Sequence, residues 1–176
     1  MRFAYNLLPL LSASPHPHVV SVLAGGKEGA VVETDLSLKD KKNYSVLSCA
    51  HTSSTMTTLF MEHLAKENPN ITFVHEYPGI VKTNLMQSKH IGPVVKFLVT
   101  WIIVPLCSPF CVPVSEAGER GLYNGTTEQF KPGFYAVGWD NEPAGASKLL
   151  TQYRENGVDS KIWDHTLQEF DRIAAL

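Results

Sequence analysis

Three cysteines, Cys49, Cys107 and Cys111, are all that the chain contains. They cannot build a disulfide framework, and their spacing lacks the two ligand pairs of a structural zinc site, so a reducing, cytoplasmic setting is expected. Nor is there an excess of charge of one sign. Fifteen Lys and Arg oppose seventeen Asp and Glu, with the basic residues dispersed, and without a basic stripe nucleic acid is not an expected partner. No basic segment leads into a long apolar run near Met1, so the N-terminus offers no signal for export. His16 and His18 flank Pro17 in a turn, while His63, His75 and His165 are isolated, and no metal is expected without paired ligands. Repeats, low-complexity tracts and dividing linkers are also missing. Residues 1–176 are therefore read as one domain, a length that can bury a single core.

What is present alternates between two kinds of segment. Phe3, Leu7, Leu8 and Leu10 predict a helix that stops near Pro9. After a Ser14-Pro15-His16-Pro17 turn, residues 18–23 are β-branched and end at Gly25-Gly26, as a buried parallel strand would. Residues 27–43 are polar, without periodicity, and read as loop. Residues 44–66 carry Leu47, Met56, Leu59, Phe60, His63 and Leu64 at mostly helical spacing. Residues 71–77 form a second strand stopped by Pro78-Gly79, which completes a strand, helix, strand unit. Further on, Ser115 offers an N-cap to a helix over 116–123 that Asn124-Gly125 closes, Phe134 to Val137 reads as a third strand, and a helix from Ser160 aligns Ile162, Trp163, Leu167, Phe170 and Ile173. The class is α/β.

One long apolar run is present, within residues 91–114. Its length would just span a bilayer. Lys96 interrupts it, however, and Pro105, Pro109 and Pro113 each remove a helical hydrogen bond that lipid could not replace. A buried or membrane-grazing helix over 92–104, followed by an apolar loop, is the expectation.

The order of a helix with Leu7-Leu8-Pro9-Leu10-Leu11, a strand, a long helix, a strand and Pro78-Gly79-Ile80-Val81-Lys82-Thr83 resembles the short-chain dehydrogenase/reductase family. The likeness is strongest over residues 2–84; Glu116-Ala117-Gly118-Glu119-Arg120 and Trp163-Asp164-His165-Thr166 are similar to a divergent fungal branch. The resemblance implies a Rossmann-like parallel sheet with flanking helices, of which this chain is the C-terminal half; the first strands and the glycine-rich turn would lie upstream. Gly25-Gly26-Lys27-Glu28-Gly29 follows a strand but is not Gly-X-X-X-Gly-X-Gly, and it reads as a strand end rather than a phosphate cradle. NAD or NADP is accordingly implied for a complete protein, and neither is expected to bind this chain alone.

Carried over by position, the family's serine falls on Ala24, its tyrosine on His51 and its lysine on Thr55. The usual chemistry needs a phenol acidified by a lysine, and neither residue type is kept. His51 exchanges protons near neutral pH and is the catalytic candidate. Pro78, Gly79, Ile80 and Thr83 would face the nicotinamide end of the cofactor. Two functions follow from the resemblance: carbonyl or alcohol redox on an apolar small molecule, in fungal secondary metabolism, or a non-redox descendant that binds a partner or runs another acid–base step. Self-association is a further expectation, because a sheet cut at Met1 would leave an unpaired edge.

Overall fold

The computed structural model describes residues 1–83 and 111–175. In chain order these form α1 (Arg2–Ser12), β1 (His18–Val22), α2 (Val46–Glu67), β2 (Thr72–Glu76), α3 (Val114–Thr126), β3 (Gly133–Val137), α4 (Lys148–Glu155) and α5 (Val158–Ala174). The helix expected over 92–104 lies outside the described residues. Among the described residues, no helix is long and apolar enough to cross a membrane, and no group of His, Cys, Asp and Glu could hold a metal ion.

The three strands form one parallel sheet in the order β1-β2-β3. Val22, Glu76 and Val137 stand in register at their C-terminal ends, so all three strands deliver their following loops to the same edge. β2 is buried at every position, as expected of the central strand of a sheet covered on both faces. One covering layer is α2, with α5 packed outside it; α3 lies against β1 and β2.

The core follows from alternation on β2 and helical periodicity on α2. Phe73 and Ile71 meet Phe60, Met61, Leu64 and Ala65, and α5 adds Trp163, Leu167 and Phe170. The Phe60 and Trp163 rings stack at 4.7 Å, with Phe170 edge-on to Phe60 at 5.8 Å. Offset and edge-on contacts add to the stabilisation from burial alone. Leu36 joins Leu59, Leu150, Tyr153, Val158 and Ile162 in a neighbouring cluster and pins the irregular 27–43 segment to the helices. Asp35 organises that segment, accepting hydrogen bonds from the Lys39 and Asp40 amides and the Asn43 side chain at 2.9–3.0 Å.

Four boundaries differ from the sequence reading. The first helix runs through Pro9 to Ser12. Proline removes one helical hydrogen bond, but Ala4, Tyr5, Leu8 and Leu11 anchor the turns on both sides of it to the same aromatic cluster. Ser115 lies inside α3, whose N-cap is Pro113. The helix also passes Asn124-Gly125, because the Asn124 amide donates to Asn141 at 3.2 Å instead of closing the helix and Gly125 fits against Val20. Helix α4 was not anticipated: it is eight residues long, capped by Ser147 accepting from the Leu150 amide, and buries only Leu150 and Tyr153. Helix α5 begins two residues before Ser160, within the usual scatter of helix ends.

Phe60 is fully buried at the centre of the aromatic cluster, whereas Phe3 on the outer side of α1 is 86% exposed. Phe60→Ala should lower the unfolding free energy in urea by about 3–5 kcal/mol. Phe3→Ala should change it by no more than about 0.5 kcal/mol. Equal losses at the two positions would contradict this packing.

Candidate functional site

The connection from β1 to α2 is built against β2 through backbone. A side chain at Gly25 would place its Cβ 1.9 Å from the His75 carbonyl oxygen, so glycine is required by close approach. The Ala24 amide donates to His75 Nε2 at 3.2 Å, and the Ala24 carbonyl accepts from Ser54 Oγ at 2.7 Å. On the other side of the ring, His75 Nδ1 lies 2.7 Å from Thr58 Oγ1, which donates to Glu28 Oε1 at 2.5 Å. The same Glu28 oxygen accepts the Gly26 amide at 3.0 Å. These partners assign the tautomer: Nε2 accepts, and the proton sits on Nδ1 and is donated to Thr58. Burial pushes the His75 pKa down to about 4, with the nearby Glu28 charge pulling weakly the other way, so the ring is neutral around pH 7.

The three positions matched to the family's catalytic group come together around this connection, and two of them are engaged with backbone. Ala24 is held as described. Thr55 is buried, with Oγ1 accepting from the Gly29 amide at 3.1 Å and donating to the Gly29 carbonyl at 2.7 Å. The half-buried His51 ring packs on Gly29, where an added Cβ would lie 2.2 Å from His51 Cγ. The Gly26 and Gly29 amides are thus already committed to Glu28 and Thr55, leaving no run of free amides for a phosphate.

A cleft of about 550 Å³ opens at the C-terminal ends of β2 and β3, beside the Pro78-Gly79 turn. Gly79 has φ +80°, and a Cβ there would crowd Val112 and Trp139 at 3.1 and 3.2 Å, so the turn also requires glycine. Ile80 is exposed beside it, Val81 bridges to Val112, and the exposed Thr83 lies just beyond. Lys27 and Tyr77 line the cleft, with Lys27 Nζ 5.5 Å from the Tyr77 ring centroid. Arg120 and Trp139 also line it, with the guanidinium carbon 5.3 Å from the indole centroid. Arg120 donates to the Trp139 carbonyl and to the Glu116 carboxylate. His51, Ala24 and Thr55 are not among the lining residues. A larger hollow of about 680 Å³, between residues 33–39 and α5, has no strand-end residue in its wall.

Of the residues expected to face a cofactor, Gly79 and Ile80 line the cleft, whereas Pro78 and Thr83 are not in its lining; Lys27, Tyr77, Arg120 and Trp139, which do line it, were not singled out as a site. A signal was available for two of them. Tyr77 and Trp139 stand just beyond the C-termini of β2 and β3, where open parallel sheets bind ligands.

No family model and no solved structure matches the chain. Among characterised proteins it is 36% identical to Oxidoreductase AN1596 of Emericella nidulans, over 98% of this chain and 59% of the relative. It is 31% identical to the NmrA-like family domain-containing oxidoreductase notO of an Aspergillus species, over 94% of this chain and 52% of the relative. It is 27% identical to the short-chain dehydrogenase/reductase SAT2 of Stachybotrys chartarum, over 99% of this chain and 56% of the relative. The chain therefore spans between about half and three fifths of the length of these relatives. The parallel sheet with helices on both faces defines the class as Rossmann-like α/β, in a partial form. The matched relatives are oxidoreductases, most of them fungal and one named a short-chain dehydrogenase/reductase, which supports a divergent fungal short-chain dehydrogenase/reductase-like family for this chain.

The buried His75 gives a pH test of the network. Between pH 6.5 and about 4 the unfolded chain binds a proton that the folded chain refuses. Stability from this group is thus fully present above pH 6.5 and falls with pH, by about 3 kcal/mol on reaching pH 4. In urea titrations across that range, the difference between wild type and His75→Gln should carry this slope and flatten above neutrality. A flat difference throughout would mean that the ring is accessible to protons.

Proposed function

We propose that the complete protein is an NAD(P)-dependent oxidoreductase that interconverts a carbonyl and an alcohol on a largely apolar substrate held in the Gly79 cleft. The observation that carries this reading is the position of the cleft, at the C-terminal edge of a parallel sheet and against the Pro-Gly turn. The described residues suit one end of the cofactor. Pro78, Gly79, Ile80 and Thr83 present an exposed turn for the nicotinamide ring, whereas the pyrophosphate has no free amides at Gly26 or Gly29. When bound, the cofactor supplies or accepts a hydride.

The chain's own residues hold the substrate and move a proton. Ile80, Val112 and the rings of Tyr77 and Trp139 give the cleft apolar walls that exclude water. In the reductive direction, the substrate oxygen needs a proton as the hydride reaches carbon. The Tyr77 hydroxyl belongs to the residue that lines the cleft, while His51, the candidate by helix position, packs on Gly29. We therefore assign the proton to Tyr77. A second reading, a non-redox descendant of the fold, is favoured by one observation: Thr55, at the family's lysine position, is buried and spends its hydroxyl on the Gly29 backbone.

The test is turnover of an aryl ketone by the protein encoded by the longest reading frame containing this chain, with NADH or NADPH. Tyr77→Phe should lower kcat by roughly a hundredfold or more, and His51→Phe should stay near wild type. The reverse pattern would return the proton to His51. Cofactor binding without turnover of any carbonyl or alcohol would favour the non-redox reading.

A further inference from the structure

We propose that the Gly79 cleft selects a flat, apolar molecule carrying an acidic group, a carboxylate or phenolate, and that Lys27 is the residue that recognises it. This rests on the reading of the cleft as the substrate site and names the chemical class that it takes.

The charged residues in the lining are two cations, Lys27 and Arg120, and one carboxylate, Glu116. Arg120 is neutralised in place, since one nitrogen donates to the Glu116 carboxylate and another to the Trp139 carbonyl. Glu116 is matched by the same contact. Lys27 is the remaining cation, and among the described residues it forms no ion pair. Its neighbour Glu28 cannot serve, because Glu28 Oε1 is turned toward Gly26 and Thr58. Lys27 is instead seated over the Tyr77 ring, which holds an ammonium at the mouth of an apolar slot without consuming its charge.

The backbone that carries Lys27 is fixed by the fold. The Lys27 amide donates to the Ala24 carbonyl at 3.0 Å, closing a turn whose Gly25 is pressed on β2 and whose Gly26 is held by Glu28. Two aromatic residues in the lining, Tyr77 and Trp139, favour a planar ligand over a flexible aliphatic one. An acid group at one end and a flat apolar body at the other match a single cation beside two aromatic walls.

The probes are 2-naphthoate and methyl 2-naphthoate, titrated calorimetrically into the chain without cofactor at low ionic strength. Wild type should bind the acid roughly fivefold or more tightly than the ester, the scale of one exposed ion pair of about 1 kcal/mol. Lys27→Met should erase that preference by weakening the acid alone, and added salt should act in the same direction. Ile80→Trp, which fills the cleft from an exposed position, should block both probes. An ester that binds as tightly as the acid, an unchanged preference in Lys27→Met, binding retained in Ile80→Trp, or no binding of either probe would each overturn the proposal. No redox step enters these measurements. A carboxylate preference without turnover would keep the recognition site and remove the reductase reading; turnover without the preference would do the opposite.

Discussion

The contact on which the rest depends is the approach of Gly25 to the backbone of β2. A Cβ there would overlap the His75 carbonyl oxygen, and the absence of a side chain lets the first loop of the sheet lie directly on its central strand. Burying loop backbone in this way would cost roughly 1–3 kcal/mol for each unpaired polar group. The surrounding residues remove that cost: His75 accepts the Ala24 amide, Ser54 donates to the Ala24 carbonyl, Thr55 satisfies both backbone groups of Gly29, and Glu28 takes the Gly26 amide.

This constraint accounts for the residue types found on the face of α2 that meets the loop. Helix α2 presents Ser54, Thr55 and Thr58 toward the loop, all three buried, and each hydroxyl is used to hold backbone or the His75 ring. A lysine at position 55 would place an ammonium against Gly29 with no carboxylate in the contacts seen there, and burying an unpaired charge is far costlier than burying a hydroxyl with two partners. That face of the helix is given over to holding the loop. The loop in turn delivers Lys27 to the cleft, which stands at the strand ends rather than on α2.

Much of the architecture was legible because it rests on local pattern. β-branched runs marked the strands, and the spacing of Leu59, Phe60 and Leu64 marked α2. Helix α4 escaped because two buried residues in eight leave little periodicity, and the true course of α1 escaped because local rules for Pro9 do not see the aromatic cluster that anchors both flanks. The site divided along the same line. Pro78-Gly79-Ile80 could be read as a motif, since a turn that requires glycine leaves a signature in one stretch of sequence. Lys27, Tyr77, Arg120 and Trp139 could not be grouped in advance, because the loops after all three strands and helix α3 bring them together only once the parallel register is known. His75 read as an isolated histidine for the same reason: its partners, Ala24 and Thr58, come from a loop and a helix distant in sequence.

The loop from Ala24 to Gly29 is held as part of the sheet layer through Ala24 and Gly29, and amide hydrogen exchange at these two residues reads that out. Loops without buried partners open at almost no free-energy cost, whereas core strands open only with the whole domain. The Ala24 and Gly29 amides should exchange as slowly as those of β2, and Thr58→Val should speed Ala24 while leaving the amides of β2 protected; free exchange at Gly26 is compatible with this, since Gly26 is exposed. Free exchange at Ala24 and Gly29 in the wild-type chain, alongside a protected β2, would show that the loop is not part of the layer.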